Sequence, residues 1–277
     1  MLLAAPRFAL PETLAEALTA MAERPDATVV AGGTEVMPDL LWRNRTAAGF
    51  VSLRRVGELR GITVTDQEIV VGAGTPVAAL VGAPDGALSA AAASLGTPLV
   101  RTEATIGGNI VSALPYRNML PALLATDARL ELTSDTGRRT VPFSGFITGP
   151  GTSRLGEREL LTAVRVPRRT GFADYVKIGR RNAQYVATVS AAISCDLDGP
   201  AGFRLAFGNA GRTPVRHDDV DGIAALVYAG GASEEDLQAA VAAAVDPPED
   251  AVASAEYRRH ALGVLAVRLV RRAGGVS

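Results

Sequence analysis

The chain is poor in the residues that build metal centres, disulfides and nucleophilic active sites. It holds one cysteine, Cys195, and two histidines, His217 and His260, among 277 residues. One thiol cannot close an intrachain disulfide, hold an iron–sulfur cluster unaided or complete a zinc knuckle. Cys195 lies in the apolar stretch "VSAAISCDLDG" and reads as a small core residue. The histidines stand far apart in Arg-rich and polar surroundings and read as surface residues, so no metal site is expected. An excess of one charge is also missing. With 28 basic and 29 acidic side chains the net charge is −1, which favours neither nucleic acid nor an anionic membrane as a partner. No apolar stretch is long enough to span a bilayer. The opening "MLLAAPRFALPETL" is too short, and too broken by Pro6, Arg7 and Pro11, to serve as a signal peptide. These absences predict a soluble, cytoplasmic protein.

What is present is apolar residue, 48% of the chain, enough for a substantial core in one large or two modest domains. "PETLAEALTAMAER" places Leu14, Ala17, Leu18 and Met21 at helical spacing, and "ATVVA" reads as a short buried strand. "EVMPDLLWRN" reads as a short helix and "GFVSL" as a further strand. "EIVVGAGTPVAALV" predicts strand, glycine turn and helix, with Thr75 as N-cap and Pro76 at the first helical position. Ala87 to Leu95 is helical in pattern, "LPALLATDARLEL" runs from helix into strand, and "RRTVPFSGFITGPG" is loop-rich. Around Pro167 the texture changes: "VRVPRRTGF" has the charge, proline and glycine of a boundary, and "ADYVKIG", "VATVSAAISCDL" and "GFRLAFGNA" beyond it are strand-like. Two helices close the chain. "SEEDLQAAVAAAV" opens with Ser233 as N-cap and Asp236 three residues on, and "EYRRHALGVLAVRLVRRA" sets Leu262, Leu265 and Leu269 on one stripe. The pattern is an α/β part of about 165 residues followed by about 110 residues of antiparallel strands and helices.

Two glycine pairs interrupt this pattern, in "VVAGGTEVMPDL" (Val29–Leu40) and "TIGGNIVSAL" (Thr105–Leu114). Such a pair permits positive φ and keeps side chains away from a ligand. Successive amides in the turn face one concavity that favours an anion, and a following helix adds its dipole. Thr34 and Thr105 bring hydroxyl donors and Asn109 an amide donor. Hydrogen bonds to a charged partner contribute roughly 1.5–3 kcal/mol each, so a few aligned amides can hold a diphosphate without Lys or Arg. That suits a chain with no basic cluster near either segment. Either segment alone also reads as a tight strand-to-helix turn. Neither fits G-x-G-x-x-G or G-x-x-x-x-G-K-[ST], so nicotinamide Rossmann and P-loop readings lose their main support. Glu35 is no ribose ligand of the Rossmann kind, because it follows the glycines directly instead of some twenty residues later.

Together, "VVAGGTEV" and, some seventy residues on, "ATIGGNI" resemble the paired flavin-diphosphate segments of the molybdenum-hydroxylase flavoproteins. These are the FAD-binding medium subunits of xanthine dehydrogenase, carbon monoxide dehydrogenase and related hydroxylases. "LPALLATDARLEL", "ELLTAVRVP", "YVKIGRRNAQYVATVSAAI", "GNAGRTPVR" and "YRRHALGVLAVRLVRRA" continue the resemblance over nearly the whole chain. It implies an α+β, p-cresol-methylhydroxylase-type FAD-binding fold. The FAD-binding domain would span residues 1–167, as two α/β subdomains of about 1–55 and 56–167. Residues 168–277 would form a C-terminal domain of the CO dehydrogenase flavoprotein type, with a three-stranded antiparallel sheet and helices.

Residue by residue, the resemblance assigns cofactor contacts to Val29, Val30, Ala31, Gly32, Gly33, Thr34, Glu35 and Val36 in the first segment. It assigns Thr105, Ile106, Gly107, Gly108 and Asn109 in the second. Leu161 and Lys177 match positions that touch FAD in xanthine dehydrogenases, although Lys177 also reads as an exposed strand residue. Leu95 falls where the family places an aromatic over the cofactor, and a leucine forgoes ring stacking. "SALPYRNMLPAL" departs from the family's Ser-Pro-x-x-Asp: Pro115 is kept, Leu114 replaces the serine, and Asn118 replaces the FAD-binding aspartate, keeping hydrogen bonds but losing the charge. Tyr185, Arg180 and Arg181 are candidates to wall the flavin or a pyridine-nucleotide channel, with surface and core roles equally open. No His or Cys adjoins either segment, so FAD would be bound non-covalently.

The implied function is electron transfer within a molybdenum hydroxylase. A large molybdopterin subunit would oxidise the substrate, and a small subunit with [2Fe–2S] clusters would pass electrons to this chain's FAD and on to NAD, O2 or another acceptor. No catalytic side chain is expected, because the flavin carries the redox chemistry. A stand-alone FAD-dependent oxidoreductase and a flavin-free binding or scaffold module remain alternatives at this level.

Overall fold

In a computed structural model, which describes residues 7–181, 185–196 and 202–275, the short apolar runs of the first sixty residues pair in parallel. Strands β1 (Arg7–Ala9), β2 (Thr28–Val30) and β3 (Gly49–Ser52) form a sheet in the order β1-β3-β2. Parallel neighbours need crossover connections, and helices α1 (Leu14–Glu23) and α2 (Val36–Leu41) supply them. The Thr13 side chain accepts the Glu16 N–H and so caps α1, which buries Ala17 and Met21.

A second sheet is antiparallel throughout, in the order β4-β5-β10-β6-β7: β4 (Ile62–Val64), β5 (Glu68–Gly72), β6 (Arg129–Ser134), β7 (Gly137–Pro142) and β10 (Leu160–Pro167). The short pair β8 (Ile147–Gly149) and β9 (Thr152–Ser153) lies between β7 and β10 in sequence. Between β5 and β6 run four helices, α3 (Gly86–Ala93), α4 (Pro98–Glu103), α5 (Ile106–Val111) and α6 (Met119–Ala125).

Two local expectations are corrected here. The stretch predicted as loop-rich contains β7, whose mostly exposed "GRRTVP" lacks the apolar alternation that would reveal a strand. Thr75 caps no helix. Its hydroxyl bonds the Gly61 N–H and C=O, and the segment after Pro76 is one 3-10 turn, Val77–Leu80. The Val77 N–H instead bonds the Ala104 carbonyl, so tertiary pairing overrides the local capping signal.

The third sheet, β11 (Phe172–Ile178), β12 (Val189–Cys195) and β13 (Arg204–Gly208), is antiparallel as expected. Strand alternation gives it two dry faces. Ala192 and Ala206 turn toward the core around α3 and α6, while Val189, Ala191, Ile193, Leu205 and Phe207 turn toward α7 (Asp218–Tyr228), α8 (Glu234–Ala244) and α9 (Ala255–Ala273). Leu262, Leu265 and Leu269 are fully buried on α9. Ser233 and Asp236 form the reciprocal capping box of α8. Arg258 on α9 is completely buried, donating to the Thr188 carbonyl and, at 2.6 Å, to Asp250. Cys195 is buried, and burial pushes its thiol up to about 11. Among the described residues no helix is long and apolar enough to cross a membrane.

Candidate functional site

The two glycine segments meet. After β2 the chain bends through Ala31, Gly32, Gly33 and Thr34 into α2, with Gly33 at φ +70°. Gly32 is pressed against the end of α4: a Cβ there would overlap the Glu103 carbonyl oxygen and sit 3.2 Å from the Ala104 Cα. Glycine at 32 therefore serves the contact between segments, whereas glycine at 33 serves the left-handed bend. In the second segment, a Cβ on Gly107 would lie 2.7 Å from the Ala73 carbonyl oxygen. Gly108 is the member of that pair that lines the space between the segments.

That space is a cavity of about 360 Å³, in the usual range for small-molecule sites. Of the residues assigned to cofactor contact, Val29, Ala31, Gly32, Gly33, Thr34, Glu35, Val36, Leu95, Thr105, Gly108, Asn109 and Asn118 line it. The other five do not reach its wall. Val30 is buried in β2, Ile106 is fully buried in the core, and Gly107 packs on Ala73. Leu161 is buried in β10 opposite Leu132. Lys177 stands behind the wall, its Nζ donating to the carbonyls of Ser94 at 2.5 Å and Tyr185 at 3.1 Å. It is no free strand residue: burial lowers its pKa, and its ammonium ties the end of α3 to the segment carrying Tyr185 and Val186. Asn118 supports the same end, its Nδ2 donating to Ser94 Oγ at 2.8 Å.

The amides of the two segments are used differently. In the second, all but that of Thr105 are consumed within the fold. Ile106 N–H bonds the Thr75 carbonyl at 3.1 Å, Gly107 N–H the Ala73 carbonyl at 2.8 Å, and Gly108 N–H the Thr105 side chain at 3.1 Å. Those of Gly32, Gly33, Thr34, Glu35 and Val36 donate to no described protein acceptor. The expectation that both segments offer successive main-chain nitrogens to one anion is thus corrected for the second. The first offers a row of open donors, and the second offers the Thr105 amide, its Asn109 side chain and a rigid backing. A row of open N–H groups in a bend is an anion-binding concavity.

The expectation of a site without basic residues is also corrected. Arg45 and Arg117 line the cavity, with Ser112 and Tyr116. Arg117 pairs with Glu35 across the space between the segments, donates from Nε to Ser112 Oγ at 2.9 Å and lies 5.4 Å from the Tyr116 ring centre. Burial lowers its pKa to about 10, which leaves it charged at neutral pH. Burial, with the nearby Asp39 charge, raises the Tyr116 phenol, so that ring stays neutral. Arg117 adjoins Asn118 in "PYRN", and a charged residue inside a polar turn beside a site residue was the signal for it. Val100, Val111 and Val186 complete an apolar part of the wall with Leu95. Arg180 and Arg181 lie 6.0 and 5.8 Å from the Tyr185 ring, which is on the wall. Open amides and a guanidinium, together with aliphatic and aromatic surface, fit a ligand that is both anionic and planar-apolar. The wall carries no cysteine or histidine to form a covalent link, and among the described residues no His/Cys/Asp/Glu cluster could hold a metal ion.

Comparison with known proteins agrees in both halves of the chain. Residues 5–169 match the family described as FAD binding domain in molybdopterin dehydrogenase, and residues 174–273 match the CO dehydrogenase flavoprotein C-terminal domain. The chain is 33% identical over 275 residues to the xanthine dehydrogenase FAD-binding subunit of Escherichia coli O157:H7, covering 94% of this chain and 93% of that one. It is 31% identical over 284 residues to the carbon monoxide dehydrogenase medium chain of Hydrogenophaga pseudoflava, covering 97% of each. The fold superposes on a chain of the reconstituted CO dehydrogenase from Oligotropha carboxidovorans with a TM-score of 0.90, 27% identity and full coverage of both chains.

Proposed function

Because the chain belongs to the FAD-binding subunits of the molybdopterin dehydrogenases, we propose that it is the electron-transfer flavoprotein of a heteromeric molybdenum hydroxylase. Its immediate electron donor is a small [2Fe–2S] subunit, its acceptor is NAD, O2 or another oxidant, and a large molybdopterin subunit oxidises the substrate. A cytoplasmic location and the division into residues 1–167 and 168–277 belong to the same proposal. The observation that carries it is the meeting of the two glycine segments on one cavity, with five consecutive open amides on one bend. One cysteine cannot ligate a cluster, which supports placing the clusters on another chain.

In this reading the amides of Gly32 to Val36 take the diphosphate of FAD, and Asn109 adds a side-chain donor. Leu95, Val100 and Val186 cover apolar ring surface and keep water from it. Lys177 and Asn118 hold the end of α3, and with it Leu95, in place. Bound FAD supplies the redox chemistry, while the chain positions it and tunes its surroundings. The test is the absorption spectrum and metal content of the purified protein. A yellow protein that releases its flavin on denaturation and co-purifies with molybdenum- and iron-bearing chains supports the proposal. A colourless chain that ignores added FAD ends it, and substrate turnover by the isolated yellow chain shows a stand-alone oxidoreductase instead.

A further inference from the structure

Arg117 falls at a position that the Ser-Pro-x-x-Asp pattern leaves free, so its role has to come from its own surroundings. It is largely buried on the cavity wall, and three groups fix it. Nη2 faces the Glu35 carboxylate, Nε donates to Ser112 Oγ, and the plane lies by the Tyr116 ring. A guanidinium carries five N–H donors in a rigid fork suited to phosphate oxygens. Here Nη1 donates to no described protein atom. The Glu35 carboxylate that Arg117 holds belongs to the residue whose own amide is one of the open row. The spare Nη1 is therefore within a side chain's length of that row of amides. Glu35 has the opposite relation to an anion there, because its charge repels one and its pairing occupies the guanidinium.

We propose that Arg117 is a diphosphate ligand of this cavity and that Glu35 competes with the diphosphate for it, the pair setting cofactor affinity. The proposal rests on the reading that FAD lies here with its diphosphate over the first bend. A pair serving merely to pin the two segments together would make either substitution harmful. Competition gives the two substitutions opposite signs.

The experiment is titration of the full chain, stripped of flavin, with FAD by fluorescence quenching and with ADP by calorimetry, at two salt concentrations. Losing a hydrogen bond to a charged partner weakens binding about tenfold or more. R117Q is expected to show that loss for both FAD and ADP, with a shallower salt dependence. R117K, which keeps the charge without the fork, falls between R117Q and wild type, and E35Q binds both ligands more tightly than wild type. Wild-type protein that takes up no FAD overturns the functional reading and this proposal with it. Tight wild-type binding matched by R117Q overturns the role of Arg117 alone, and E35Q that binds no tighter overturns the competition.

Discussion

Replacing Gly32 by alanine tests whether the two glycine segments meet as described. The new Cβ would overlap the Glu103 carbonyl oxygen and lie 2.6 Å from its carbon, where ordinary contact begins at 3.4 Å. The obstacle is backbone on both sides, so no side chain can swing away. The bend must retreat from α4 by at least about 0.8 Å, and by more to clear the oxygen. Overpacking of this kind costs roughly 1–3 kcal/mol, and the melting temperature of a chain this size falls by about 2–4 °C per kcal/mol. The larger effect falls on binding. Amide donors set about 2.9 Å from an anion would be carried past about 3.5 Å, where the hydrogen bond is lost. Losing two such bonds, at about 1.5 kcal/mol each, weakens FAD more than about 100-fold. Gly57→Ala, whose Cβ meets nothing within 4 Å, is the control and should match wild type in both respects. A G32A protein with wild-type melting and wild-type FAD affinity would refute the packing of the first bend on α4, and the shared cavity with it.

Further expectations follow from other parts of the molecule. Lys177→Met removes the donor that serves the Ser94 and Tyr185 carbonyls; hydrogen exchange at residues 185–188 should rise and FAD affinity fall, with the melting temperature less affected. Asp250→Ala leaves the fully buried Arg258 guanidinium half-paired, a loss of about 3 kcal/mol, at the low end because the carboxylate is 44% exposed; urea unfolding measures it. Against the effect of burial, the Val252 and Ala253 amides and Arg258 hold the Asp250 carboxyl below its usual range. Its stabilisation is therefore present above the ordinary carboxylate pKa and lost as pH falls through the lowered one, so D250A should flatten the acid limb of the stability profile. Cys195, pushed up to about 11 by burial from an ordinary 9.0, should resist thiol reagents at pH 8, where only about one molecule in a thousand carries the thiolate. Its pKa is raised on folding, so the stability linked to it is intact below 9 and lost as pH rises through about 11. Rapid labelling of the native protein at pH 8 would contradict its burial.

The sequence by itself determined the elements whose signals are local. Thr13 before "LAEALTAMAE", Ser233 three residues ahead of Asp236, and the Leu262/Leu265/Leu269 stripe each need only a helix's own geometry to be read. The first glycine segment was legible as a bend for the same reason, since a φ of +70° at Gly33 calls for glycine whatever surrounds it. The expected strand-to-helix turn at the second is corrected: Gly107 and Gly108 lie inside α5, without positive φ, and α4 precedes them. Which amides remain open was not legible. Ala73 and Thr75, some thirty residues before the second segment, take its N–H groups, and that pairing exists only once β5 and α5 are side by side. The tertiary structure likewise decided that Gly32 is needed for the Glu103 backbone, that Lys177 turns to two carbonyls behind the wall, and that Arg117 meets Glu35 over eighty residues away. Local sequence fixes φ, ψ and caps, but a hydrogen-bond donor is free or spent, and a charge paired or bare, according to what distant chain is folded against it.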